Sequence, residues 1–344
     1  GNYNAKKIFN KKNLFSLKSF NHKKISESET LSRLYSKAVN SYELFTSGKK
    51  NRRDVFDYKS FAKFYAVADL FETWHPRTWH NLRYYFNPLT GKFIPIGFDA
   101  SHPTVNSSLM PSFANDYPKT RVNDLDLFDD PFFAKEYVKA VNKISSENYL
   151  NKFFSFYENK FKGQLKILHS SFPFVKSTEN RIRLAANILS DSIEPPPDPF
   201  QIKKFKNSIN SSNDLVLLFS SNHTLPIEII SVDHNSEKWL PMQGSKYLPR
   251  GTLNDKRRIY EKIVFSKDKN IISKKLLDET SSNKFIVSYK TIGSKNTITN
   301  EFEVILTNPL NSREKFQTNN IDIIANPNIK YLKLNGNTLT FKSK

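Results

Sequence analysis

WHPRTWHNLRYYFNPLTGKFIPIGFDA, residues 74–100, is the stretch on which the reading of the fold turns. The runs 82–86 (LRYYF) and 93–98 (FIPIGF) are short and rich in aromatic and β-branched residues. Asn87, Pro88 and Gly91 separate them, which is the signal of a β-hairpin with a longer loop. So short a ribbon brings its outer ends together, and Asn81, before the first strand, is expected close to Asp99, after the second. An amide oxygen and a carboxylate at a hairpin mouth suit a hard divalent cation, which takes oxygen ligands. The plainer account of the same two residues is an Asn cap and an Asp turn at the ends of two strands. His75 has two readings as well. An ordinary imidazole titrates near neutrality and can act as a general base, and an imidazole beside Trp74 can equally be a packing residue. Arg77, Arg83 and Lys92 are candidate phosphate contacts, although exposed charge is the commoner reason for such residues.

Working outward toward the N-terminus, YKSFAKFYAVADLFETW carries apolar residues at helical spacing (Phe61, Phe64, Tyr65, Ala68, Leu70, Phe71), with Asp57 as its cap. That face is expected to pack beneath the hairpin and to carry the 75–81 loop. A further capped helix is expected over 26–39, and residues 46–54 read as a polar loop. On the other side, residues 101–124 hold three prolines among polar residues, the composition of a long loop bordering a site, with His102 three residues past Asp99. Asp130-Pro131 reads as a helix start. Helical patterns then cover 131–144, 149–168 and about 178–191.

At 194–199 (EPPPDP) proline breaks the helical period. Beyond it the period becomes that of strands, at 214–220, 224–232, 257–265, 283–291 and 301–308. The expected class is α+β. Residues 1–193 form a helical domain with one hairpin, 194–213 a proline-rich linker and 214–320 a β-rich, sandwich-like domain. Residues 321–344 read as the start of a β-helix or a further repeat.

Composition excludes some functions. The 344 residues contain no Cys, which removes disulfides, thiolate catalysis and zinc–thiolate sites. No run approaches the length of a transmembrane segment. The formal net charge is +20, spread along the whole chain apart from a lysine cluster in the first 24 residues. No zinc-finger, RNA-binding or helix-turn-helix pattern accompanies it, so specific nucleic-acid binding is not expected. The charge fits a solvated lysine face or attraction to acidic partners. The residues choose no compartment; an extracellular or cell-envelope location is favoured.

A helix, a short loop ending in Asn81, a hairpin turning on Asn-Pro-Leu-Thr-Gly, then an apolar run and Asp99 together resemble the catalytic half of the spore-coat-type (CotH) kinase family. The resemblance covers roughly residues 55–170, with nearly all of it carried by 74–100. It implies a partial, atypical protein-kinase-like domain that transfers phosphate from ATP, with Mg, to a protein hydroxyl. Asn81 and Asp99 then match the metal-binding residues, and Asp99 and His75 are the catalytic candidates. Arg77 and Arg83 are the cofactor contacts, and the partner is a protein substrate or surface component. Two family features are missing. Pro76 occupies the place of the usual catalytic Asp, and only Gly1 and Gly48 precede Asn81, so no glycine-rich phosphate loop is present. If the natural protein continues upstream of Gly1, the ATP-clamping lobe lies there. The alternative is a non-catalytic surface or envelope protein that keeps a degenerate kinase-like fold.

Overall fold

Asp57 caps the helix beneath the hairpin, as its position before the apolar stretch predicts: its carboxylate accepts from the Ser60 amide at 2.9 Å. In the computed structural model the described residues are 17–73, 75–77, 81–100, 111–114, 127–174, 178–205, 214–242, 247–251, 260–268 and 284–307. The strand backbones 315–318, 321–324, 331–335 and 338–342 are described as well. Among them are seven α-helices: α1 (His22–Ser26), α2 (Glu29–Thr46), α3 (Arg52–Val55), α4 (Tyr58–Leu70), α5 (Pro131–Ile144), α6 (Glu147–Ser171) and α7 (Glu179–Ser192). Local chemistry sets several of their starts. Ser28, Asp130 and Ser146 each accept a backbone N–H of the following turn, satisfying donors that have no partner within the helix. The expected loop at 46–54 is partly helical, because α2 ends at Thr46 and α3 begins at Arg52.

The hairpin forms as read, with β1 (Arg83–Asn87) antiparallel to β2 (Lys92–Ile96) and Gly91 left-handed in its turn. It touches α4 through Tyr84, whose ring lies 6.0 Å from that of Phe61, and packs on the residues before that helix through Phe93. Phe93 is buried, and its ring lies 5.2 to 6.1 Å from those of Phe86, Tyr84, Phe56 and Tyr42. The Phe93 carbonyl also accepts the Asp57 amide at 2.9 Å, so one β2 residue fixes the start of α4. Phe61, Ala62, Tyr65, Ala66 and Leu70 of α4 join Phe133, Tyr137, Val138 and Val141 of α5 in a single core.

The second half corrects the sandwich expectation. It contains β3 (Phe200–Phe205), β4 (Asp214–Ser221), β5 (Ile227–His234), β6 (Glu237–Pro241), the short β7 (Tyr247–Leu248), β8 (Tyr260–Lys267), β9 (Lys284–Thr291) and β10 (Ile298–Thr307). Pairing runs β8-β4-β3-β10-β9-β5-β6, and β6 then pairs again with β8, so seven strands close into a barrel. A sandwich would keep two separate sheets; here Trp239, Leu240 and Pro241 of β6 complete the ring against Lys267, Ser266 and Phe265 of β8. Strand β3 lies inside the stretch expected to be linker. It runs parallel to β10 and antiparallel to β4. Phe200, Ile202, Leu217, Phe219, Val287 and Tyr289 belong to the barrel core. The strands β11 (Lys315–Thr318), β12 (Ile321–Ile324), β13 (Tyr331–Asn335) and β14 (Thr338–Lys342) extend from the first half of β8 as two antiparallel hairpins.

Barrel and helices are joined by specific contacts. Leu225 and Ile292, from barrel loops, are buried in the helical core. Gly293 has a left-handed φ of 88°, and a Cβ there would stand 2.6 Å from the Lys135 carbonyl of α5, so only glycine permits this approach. His223 is the polar pin of the junction. It is 5 % exposed, its Nε2 lies 3.3 Å from the Thr291 hydroxyl, and its ring also hydrogen-bonds the Ile193 carbonyl at the end of α7. Burial takes this imidazole down to about 4, with the Ile193 carbonyl pulling the other way. The unfolded chain protonates His223 near pH 6.5 whereas the folded chain resists protonation until about 4. Stability should therefore be intact above about 6.5 and fall as pH drops through that window, by about 3 kcal/mol in all. Urea midpoints measured at about pH 7 and about pH 4.5 should show this loss, and His223→Asn should flatten it.

Candidate functional site

The hairpin register pairs Arg83 with Ile96. Continued two residues outward, the register brings Asn81 alongside the 98–99 peptide, so β1 and β2 themselves bring the two side chains together. Asn81 Nδ2 donates to Asp99 Oδ2 at 2.7 Å. His75 meets the same oxygen through Nδ1 at 3.1 Å, from the 3-10 turn His75–Arg77 that follows α4. If Nδ1 carries the proton, Nε2 keeps its lone pair for an incoming hydroxyl. Asn81 is buried, whereas the His75 and Asp99 side chains are 35 % and 44 % exposed, so the cluster is seated in the fold yet open to solvent. Asp99 has φ 52°, a left-handed conformation that Asp and Asn tolerate better than other side-chain-bearing residues.

Of the two arginines expected at phosphate, Arg83 lies at the hairpin mouth. Its guanidinium carbon sits 4.8 Å from the Phe98 ring centroid and its Nη1 donates to the Leu82 carbonyl at 3.3 Å. Arg77 goes elsewhere. It is 2 % exposed and its guanidinium is ion-paired with Asp69 of α4 and hydrogen-bonded to Ser112, so it is turned into the core rather than toward a ligand. A buried carboxylate at 0 % exposure needs such a partner, and that need outweighs any role for Arg77 at the surface. Lys92 pairs with Asn87 at the turn end of the hairpin, away from the mouth. His102 and Trp74 lie outside the described residues, as does most of the 101–124 loop.

Asp69, with Glu72 one of the two carboxylates nearest before Pro76 in the sequence, anchors the turn from below. Besides Arg77 it accepts from the Tyr137 hydroxyl at 2.6 Å, the Ser112 amide at 3.1 Å and the Ser112 hydroxyl at 2.7 Å. Burial, and then the Asp69 charge, push the Tyr137 hydroxyl well above its ordinary pKa, so it stays a donor. One carboxylate thus fastens the turn that carries His75, through Arg77, and the 111–114 segment, through Ser112. The signal was present in the sequence: Asp69 interrupts Ala66, Val67, Ala68 and Leu70, and a carboxylate inside an apolar helical stripe must find a cation or donors. Glu72, also left-handed with φ 54°, ties the same end of α4 to Arg181 of α7 at 2.5 Å.

Among the described residues no group of three or more His, Cys, Asp or Glu side chains is arranged to hold a metal. The donor set at the hairpin mouth, one carboxylate and one amide, still suits magnesium, which keeps several waters and takes one or two carboxylates plus phosphate oxygens. For this the Asn81 amide would turn its oxygen outward. No helix of the described residues is long and apolar enough to cross a membrane. No protein-family model matches the chain, and no curated protein matches it.

Proposed function

We propose that residues 55–170 are an atypical kinase-like domain and that the protein transfers phosphate from ATP to a protein hydroxyl. The observation that carries this reading is the convergence of His75 and Asn81 on one oxygen of Asp99 at the open mouth of the hairpin. In it Asp99 and Asn81 would hold magnesium, which would supply positive charge against the ATP phosphates. Asp99 orients His75, whose Nε2 accepts the proton of the attacking hydroxyl. Arg83, held over Phe98, offers a fixed positive charge beside the same opening. Arg77 positions the His75 turn through Asp69 and takes no part in holding ATP.

Transfer of labelled phosphate from ATP, to the protein itself and to an added acceptor protein, tests this, together with nucleotide binding with and without magnesium. His75→Ala should slow transfer about a hundredfold while nucleotide binding persists, because positioning and charge carry much of phosphoryl transfer. Absence of both transfer and magnesium-dependent binding would sink the proposal. A second reading has its own support. Two internal partners already serve Asp99 Oδ2, which is what a structural clasp closing the hairpin would require. On that reading the protein is a non-catalytic surface or envelope component, and removing the clasp should change stability alone.

A further inference from the structure

Helix α6 changes character along its length. Leu150 and Phe154 near its start are buried, and the Arg183 guanidinium lies 5.1 Å from the Phe154 ring centroid. Their row continues at spacings of three and four through Tyr157, Phe161, Leu165 and Leu168 to Phe172. The later part of the row runs out of core to cover it. Leu168 is 38 % exposed and Phe172 60 %, with Ile167 at 68 % and Phe174 at 93 % beside them. Single exposed apolar side chains are ordinary, but a run of them at the tip of one helix marks an interaction surface.

Charge selects the occupant. Residues 159–174 (NKFKGQLKILHSSFPF) contain Lys160, Lys162 and Lys166 and no acid. On a helix of 100° per residue Lys162 and Lys166 flank one side of the apolar row and Lys160 the other. Lys162 is paired with Glu158 at 2.5 Å yet stays exposed, and Lys160 and Lys166 are exposed beside the tip as well. A second copy docking by the same row would bring these lysines against each other. An aromatic and aliphatic edge framed by lysines is the pattern of a helix that lies in a lipid interface, its rings among the acyl chains and its ammonium groups at anionic headgroups. The net charge of +20 adds long-range attraction to such a surface. We propose that the exposed end of α6 from Lys160, with the three residues that follow the helix to Phe174, docks the protein onto an anionic lipid surface without crossing it. This is independent of the phosphate-transfer reading.

The test is co-sedimentation of the full chain with vesicles of phosphatidylcholine containing phosphatidylglycerol, and with phosphatidylcholine vesicles alone. The wild type should bind the anionic vesicles, bind the neutral ones far more weakly, and be released by salt. Lys160→Glu with Lys166→Glu should weaken binding about tenfold or more. Phe172→Ser with Phe174→Ser should weaken it by a similar factor through lost ring insertion. All four positions are exposed, so both variants keep the core, and an unchanged unfolding midpoint confirms it. Three results would overturn the proposal: equal binding to neutral vesicles, binding by both variants as tight as wild type, or concentration-dependent self-association that the Phe changes abolish in a chain that ignores vesicles.

Discussion

Asp99→Asn should lower phosphate transfer by about a thousandfold or more and leave the unfolding midpoint where it was. The two halves of that expectation have separate causes. Asn is the residue most at ease after Gly in the left-handed conformation that Asp99 adopts, so the backbone at φ 52° is kept. An amide at this position can still meet Asn81, so the hairpin mouth stays closed. What disappears is the negative charge that a cation and a protonated His75 both require. Labelled-ATP transfer by the variant beside the wild type, with thermal unfolding of both, measures the two effects independently. Undiminished transfer would remove Asp99 from the reaction. An equal fall in stability would instead mark it as a clasp.

The second large effect lies beneath the site. Arg77→Ala should cost about 3–5 kcal/mol, because it leaves the Asp69 carboxylate, at 0 % exposure, without its cation. Tyr137 and Ser112 would still donate to that carboxylate, yet neutral donors do not balance a buried charge. Removing both charges together, by Asp69→Leu with Arg77→Met, should recover part of the loss, since no charge is left to desolvate while the Tyr137 hydroxyl and the Ser112 amide lose their acceptor. Urea unfolding of the single and double variants gives the comparison. A cost below about 1 kcal/mol for Arg77→Ala would mean that the pair does not hold the 75–77 turn.

Most helices and the main strands could be read from the sequence because their signals are local. Asp57, Asp130 and Ser146 sit before apolar residues at helical spacing, and each caps its helix. The hairpin followed from two short runs and a turn, and its closure placed Asn81 beside Asp99. What escaped depends on distant partners. Strand β3 is short and follows prolines, and it is a strand only because β4 and β10 flank it. Barrel closure hangs on three residue pairs between β6 and β8 that no periodicity encodes. Arg77 looked like a surface cation because its partner, Asp69, is eight positions away on an apparently apolar helix face.

Barrel closure also bears on how fast each half of the chain reaches its structure. In the ring β3, the first strand, lies parallel to β10, the last, with Ile202 opposite Val304. Parallel neighbours cannot be joined by a tight turn, so this pair meets only after the intervening strands have been gathered. The entropy of closing so long a loop falls on a single step late in folding, and such non-local pairing is slow. The helical half depends on shorter links, with Asp57 bound to Phe93 and α4 packed on α5. Refolding should therefore divide into a fast phase that organises the helices and hairpin and a slower one that ends when β3 finds β10, with β6 and β8 sealing the ring.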